Sequence, residues 1–293
     1  MMAPLDAPTP AMALQHWLDR RLDSAGALWL REAAARVAAD AGDRDLFLAI
    51  SLASRKLGKA GLALTAADLA LADQARPGWN PADWTVDQAA RILLLLATGS
   101  DAERFSRRLD QLCATADVDE LVAFYRGLPL YPDPPRHRQR AAEGIRSNML
   151  VVFEAVAHAN PYPAEQLGED AWNQMVLKAH FVGSPLHRIA GLDRRVNARL
   201  ARMLCDHAHE RWAASRPVSP EVWRCVGPVA HGSMLADLQR VLEHGSPPER
   251  AAAVLALRSA PDPAARALLQ PHAALRDAVA ARGTRWDHIL DYT

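Results

Sequence analysis

Apolar positions recur at three- and four-residue spacing along nearly the whole chain, and β-branched residues never run in the alternation of a strand. Leu14, Leu18 and Leu22 form one stripe and predict a first helix over 11–25; a second follows over 27–41 and stops at Gly42. Asp43-Arg44-Asp45 opens a third, 46–57, which ends in the basic cluster Arg55, Lys56 and Lys59. Thr65-Ala66-Ala67-Asp68 has capping-box spacing with Asp in the place of Glu, and Asn80-Pro81 pairs a capping side chain with a first-turn proline. Strongly apolar or amphipathic segments then predict helices over 87–97, 101–114 and 118–125. The fold class that follows is all-α, with antiparallel helix pairs in a HEAT-like α-solenoid arrangement.

The run Gly127-Leu128-Pro129-Leu130-Tyr131-Pro132-Asp133-Pro134-Pro135 is not compatible with an α-helix, because proline fixes φ, lacks an N–H and displaces the residue before it from helical geometry. Near the C-terminus, Ser219-Pro220-Glu221, Ser246-Pro247-Pro248-Glu249 and Asp262-Pro263 each place a capping side chain before proline. The alanine- and leucine-rich segments 248–259 and 263–270 then read as short repeat helices. The expected organisation is a disordered tail over 1–10, an N-terminal helical half over 11–126 and a proline-rich connector over 127–140. A central helical core over 141–230 and HEAT-like helices over 231–293 complete it.

Two central segments, 145–158 and 171–182, are apolar on nearly every side. A helix of that kind is buried all round, and polar residues set into it are costly unless they are paired or meet a ligand. Arg146, Asn148 and Glu154 stand out in the first, and Asn173, Gln174 and Lys178 in the second. Glu154 is an available partner for Lys178. In a third helix, about 197–214, the stripe Leu200, Met203, Leu204, His207, Ala208, Arg211 turns His207 and Arg211 inward one turn apart. Together these residues would line a central polar pocket for an anionic or polyhydroxylated ligand, with arginine supplying forked donors. The alternative is that they satisfy one another across helix contacts. Asn160-Pro161-Tyr162-Pro163 and Gly183-Ser184-Pro185-Leu186-His187-Arg188, leading to Gly191-Leu192-Asp193, would form either the mouth of that cavity or plain proline turns.

Charge narrows the partners. Lys+Arg and Asp+Glu each number 34, so the global basic balance of a nucleic-acid binder is absent and none is expected. The longest apolar run, 92–97, is far short of the roughly 20 residues that span a bilayer, so no membrane insertion is expected. Cys113, Cys205 and Cys225 have no C-x-x-C spacing and read as reduced thiols in a cytoplasmic protein. Glycine-rich phosphate loops and the G-x-S-x-G elbow are missing. In His207-Ala208-His209-Glu210 the histidines point to different sides of a helix. No metal and no cofactor are expected.

Several blocks carry a family resemblance: Arg146-Ser147-Asn148-Met149, Phe153-Glu154-Ala155-Val156-Ala157, Asn160-Pro161-Tyr162-Pro163 and the run from Ala171 to Ala179. Gly191-Leu192-Asp193, His207-Ala208-His209-Glu210-Arg211-Trp212, Trp223-Arg224 and Gly227-Pro228 continue it, and Ser54-Arg55-Lys56-Leu57-Gly58-Lys59 and Gly78-Trp79-Asn80-Pro81 extend it upstream. In these residues the chain resembles the EboA family of bacterial proteins. The resemblance implies a role in metabolite traffic. It also implies a setting in biosynthetic gene clusters, whose enzymes or prenyltransferase-like membrane protein would be partners. It assigns no catalytic residue.

The reading that results is a non-catalytic binding or scaffold protein for a small polar metabolite, held among the eight insets. Two others stay open: an enzyme with His207 or Glu154 as general base, and a pure protein-interaction module.

Overall fold

A computed structural model describes residues 8–39 and 43–293. The all-α expectation holds: 73% of the chain is helical, with 17 α-helices and no strand among the described residues. The expected tail over 1–10 and the expected stop at Gly42 fall largely outside the described residues. The chain divides into two compact units between Leu167 and Gly168.

In the first unit, α1 (Pro10–Arg21), α2 (Ser24–Ala39), α3 (Asp43–Leu57), α4 (Ala66–Ala75) and α5 (Val86–Leu96) come first. Then come α6 (Ala102–Thr115), α7 (Val118–Arg126), α8 (Arg138–Arg146), α9 (Leu150–Ala157) and α10 (Tyr162–Gln166). The most apolar helix, α5, lies at the centre against α1, α2, α3 and α7, as its buried Ile92, Leu93, Leu94 and Leu95 require. Its one cation, Arg91, is buried and paired with Asp87 at 2.6 Å and Ser54 Oγ at 2.6 Å.

Four local expectations are corrected here. The first helix ends at Arg21 rather than 25, because the Asp23 carboxylate accepts from Gly26 N at 2.7 Å and starts α2. Asn80-Pro81 caps no helix. Asn80 Oδ1 accepts from Ala82 N in a turn, and α5 begins after Thr85, whose N–H donates to Gln88. Segment 145–158 is two helices, not one: α8 and α9 form a hairpin around Ser147-Asn148-Met149. The hairpin is that tight because Gly144 sits where a Cβ would lie 2.6 Å from the Val156 side chain. Nor is α9 buried all round, since Leu150 and Val151 are exposed.

The proline-rich run folds as two short 3₁₀ turns, 128–130 and 134–137, packed inside the first unit. Leu128, Tyr131 and His137 are buried, and the Tyr131 hydroxyl donates to Phe124 O at 3.1 Å.

The second unit holds α11 (Glu169–Phe181), α12 (Ala198–Ala213), α13 (Val222–Val226), α14 (Ser233–His244), α15 (Pro247–Ser259), α16 (Ala264–Leu269) and α17 (Ala273–Ala281). The alanine-rich α15 is its hub, touching α13, α14, α16, α17 and the 3₁₀ turn Trp286–Asp291. Small buried side chains at Ala251, Ala252, Ala253 and Ala256 permit this close packing from several sides. The predicted Ser246–Glu249 capping box is present, and Asp262 accepts from Ala264 N at 2.9 Å. Ser219 does not cap α13; the N-terminal position is taken by Glu221, whose side chain goes elsewhere.

Candidate functional site

The eight sequence-selected residues divide between the units. In the first, Arg146 ends α8 and Asn148 sits in the hairpin, both exposed, while Glu154 on α9 is half-buried. In the second, Gln174 is exposed, and Lys178, His207 and Arg211 are half-buried. Only Asn173 is fully buried, and its amide is used internally: Asn173 and Asn197 exchange hydrogen bonds of 3.3 and 2.9 Å. Asn197 in turn caps α12 by accepting from Leu200 N at 2.9 Å. The expectation that these groups are buried insets therefore fails for Arg146, Asn148 and Gln174. It rested on a continuous 145–158 helix that does not form, and Gln174 lies on the solvent side of α11.

His207 and Arg211 do share the inward face of α12. The His207 ring packs edge-on against His180 at 4.9 Å and Phe181 at 4.6 Å between ring centres. Arg211 donates through Nε to the Pro217 carbonyl and so braces the loop after α12. Burial, reinforced by His207 and Arg211, pushes His180 down to about 4, and burial lowers Lys178. His209 pairs instead with Asp237 at 2.6 Å. The Cys113, Cys205 and Cys225 thiols are each pushed up to about 12 by burial, which makes them poor nucleophiles.

A cleft of about 690 Å³ opens elsewhere in the second unit. One wall is the turn carrying His187, then Asp193, then Arg224 of α13. The rest of the lining comes from the end of α15, with Leu255, Arg258 and Ser259, and from the segment Thr284 to Asp287 with Trp286. None of the eight selected residues lines it.

Behind the first wall lies Glu221, 4% exposed. Its carboxylate accepts from Leu186 N at 3.1 Å, His187 N at 2.8 Å and the His187 ring Nδ1 at 2.9 Å. One buried anion thus fixes both the backbone of the turn and the plane of the imidazole. Arg224 is held flat by two bonds to Asp193, 2.7 and 2.8 Å. Arg285 is loosely paired with Asp287 at 3.5 Å, and Arg258 has no acidic partner among the described residues. Beside the cleft, Gly227 packs closely on α15, where an added Cβ would lie 2.6 Å from both Ala256 O and Ser259 Oγ. Such a cleft is of the size that holds a small metabolite, and its lining combines fixed hydrogen-bonding groups with exposed guanidinium groups.

A family model described as metabolite traffic protein EboA matches residues 11–227. The chain belongs to the EboA family. Neither the curated proteins nor the solved structures gave a match. The EboA match covers His187, Asp193, Glu221, Arg224 and Gly227, whereas Arg258, Arg285 and Trp286 lie beyond it. Part of the cleft lining therefore comes from the EboA region and part from the residues that follow.

Part of this lining is legible in the sequence. His187 lies in the proline turn 183–188 that reads as a cavity mouth or a plain turn, and Asp193 and Trp223-Arg224 lie in the blocks of the family resemblance. Glu221 reads as part of a helix start. Arg258, Arg285 and Trp286 gave no signal, since an arginine at a helix end is ordinary surface chemistry. Among the described residues no helix is long and apolar enough to cross a membrane.

Proposed function

We propose that this EboA protein holds a small polar metabolite in transit, without turning it over, and that the cleft between His187 and Arg258 is its seat. The family's role in metabolite traffic supplies the setting. The observation that carries the reading is the cleft itself: its volume suits a small molecule, and Glu221 pre-orients one of its walls. The enzymes that make and use the metabolite would be its partners. The test is recovery. The gently purified protein is extracted with solvent, the released compounds are identified by mass, and each is returned to stripped protein. Rebinding with recovery of the unchanged compound supports the reading, and conversion of the compound to a product overturns it in favour of an enzyme.

A further inference from the structure

The His187 ring is oriented more firmly than a rim histidine needs to be. A carboxylate only accepts hydrogen bonds, so its contact with Nδ1 requires the proton to sit on Nδ1. In the neutral ring Nε2 then carries the lone pair. It is the ring atom with no protein partner among the described residues, on a side chain that lines the cleft. The turn itself does not need the ring, because Glu221 already accepts from the amides of Leu186 and His187. In the same cleft, Arg258 has no carboxylate partner among the described residues, and Arg285, an exposed side chain, has only a loose one.

We infer that the ligand is a hydroxylated oxyanion: a hydroxyl donates to His187 Nε2, while a phosphate or carboxylate group is gripped by Arg258 and Arg285. The inference rests on the cleft being the seat of the metabolite and adds its chemical class. Glu221 acts as a positioning residue that fixes the tautomer, as second partners of ligand-binding histidines do. Arg224, committed to Asp193, shapes the wall and leaves the anion to the other two guanidinium groups.

Two pairs of probes test this with the full chain by calorimetry. Glycerol 3-phosphate and propyl phosphate share charge and length and differ in hydroxyls; glycerate and propionate make the same comparison for a carboxylate. In at least one pair the hydroxylated member should bind about tenfold tighter, the worth of one well-placed hydrogen bond. The pair that binds identifies the anion. In His187→Phe, whose backbone amides still reach Glu221, that preference should vanish while the unhydroxylated member binds as before. In Arg258→Ala/Arg285→Ala both members should be lost. Equal binding of both members by the unaltered protein overturns the hydroxyl assignment but leaves the cleft as an anion site. Failure of all four probes overturns the oxyanion class, whereas the recovery experiment above still reports on the holding function. A further readout is independent of any ligand: long-range ¹H–¹⁵N spectra of the neutral His187 ring should show the proton on Nδ1. A proton on Nε2 contradicts the proposed geometry.

Discussion

Glu221 accepts both the backbone N–H and the ring Nδ1–H of His187, at 2.8 and 2.9 Å, from a position inside the second unit. Glu221→Ala leaves the amides of Leu186 and His187 without their acceptor, which should cost ~2–3 kcal/mol in a urea titration. Glu221→Gln keeps a carbonyl oxygen for the turn and should cost less. A surface role for Glu221, with both variants as stable as the parent, would be seen as unchanged midpoints.

Gly227, after α13, packs directly against α15. An alanine there puts a methyl group 2.6 Å from the Ala256 carbonyl, a backbone atom that cannot turn aside. Gly227→Ala should destabilise the protein by about 1–3 kcal/mol, as overpacking does, and should weaken ligand binding by moving α15. Thermal melting and calorimetry read the two effects separately.

In the first unit, Arg91 and Asp87 are a buried ion pair at 2.6 Å, and Asp87 also accepts from Ser54 and Thr85 hydroxyls. Arg91→Ala strands the carboxylate and should cost about 3–5 kcal/mol. The double variant Arg91→Met/Asp87→Leu removes both charges and should recover most of that loss. A double variant as unstable as the single one would show that shape, not charge, dominates the site.

His180 gives stability a specific pH dependence. Its folded-state value is held near 4, by burial first and then by His207 and Arg211, so the unfolded chain takes up the proton first as pH falls. The contribution is complete above the ordinary value of 6.5, declines as pH drops from there to about 4, and changes no further below that. Denaturation midpoints across this interval should therefore fall less steeply in His180→Gln than in the parent protein.

The elements were legible in the sequence where the signal was local. Thr65–Asp68 and Ser246–Glu249 cap the helices they predict, and the α12 stripe from Leu200 to Arg211 faces inward as its spacing requires. The break at Ser147-Asn148-Met149 was not legible, because Arg146, Ser147 and Asn148 interrupt the apolar pattern no more than polar insets in one continuous helix would. What divides the run is the close approach of Gly144 to Val156, a contact between two helices that periodicity does not encode. The site shows the same limit. Asn173 and Lys178 stand out on an apolar helix, yet Asn173 is answered by Asn197, a partner invisible to spacing along one helix. The cleft gathers His187, Arg224, Arg258 and Trp286 from four separate elements, and no single helix face carries its pattern.

Native mass spectrometry of the gently purified full chain, beside its Arg258→Ala/Arg285→Ala variant, tests the central claim most directly. A small co-purifying mass on the parent protein, absent from a variant that is equally folded by circular dichroism, is the result expected. A parent protein that carries no small molecule, or a mass retained undiminished by the variant, would contradict the assignment of the cleft as the seat of a metabolite.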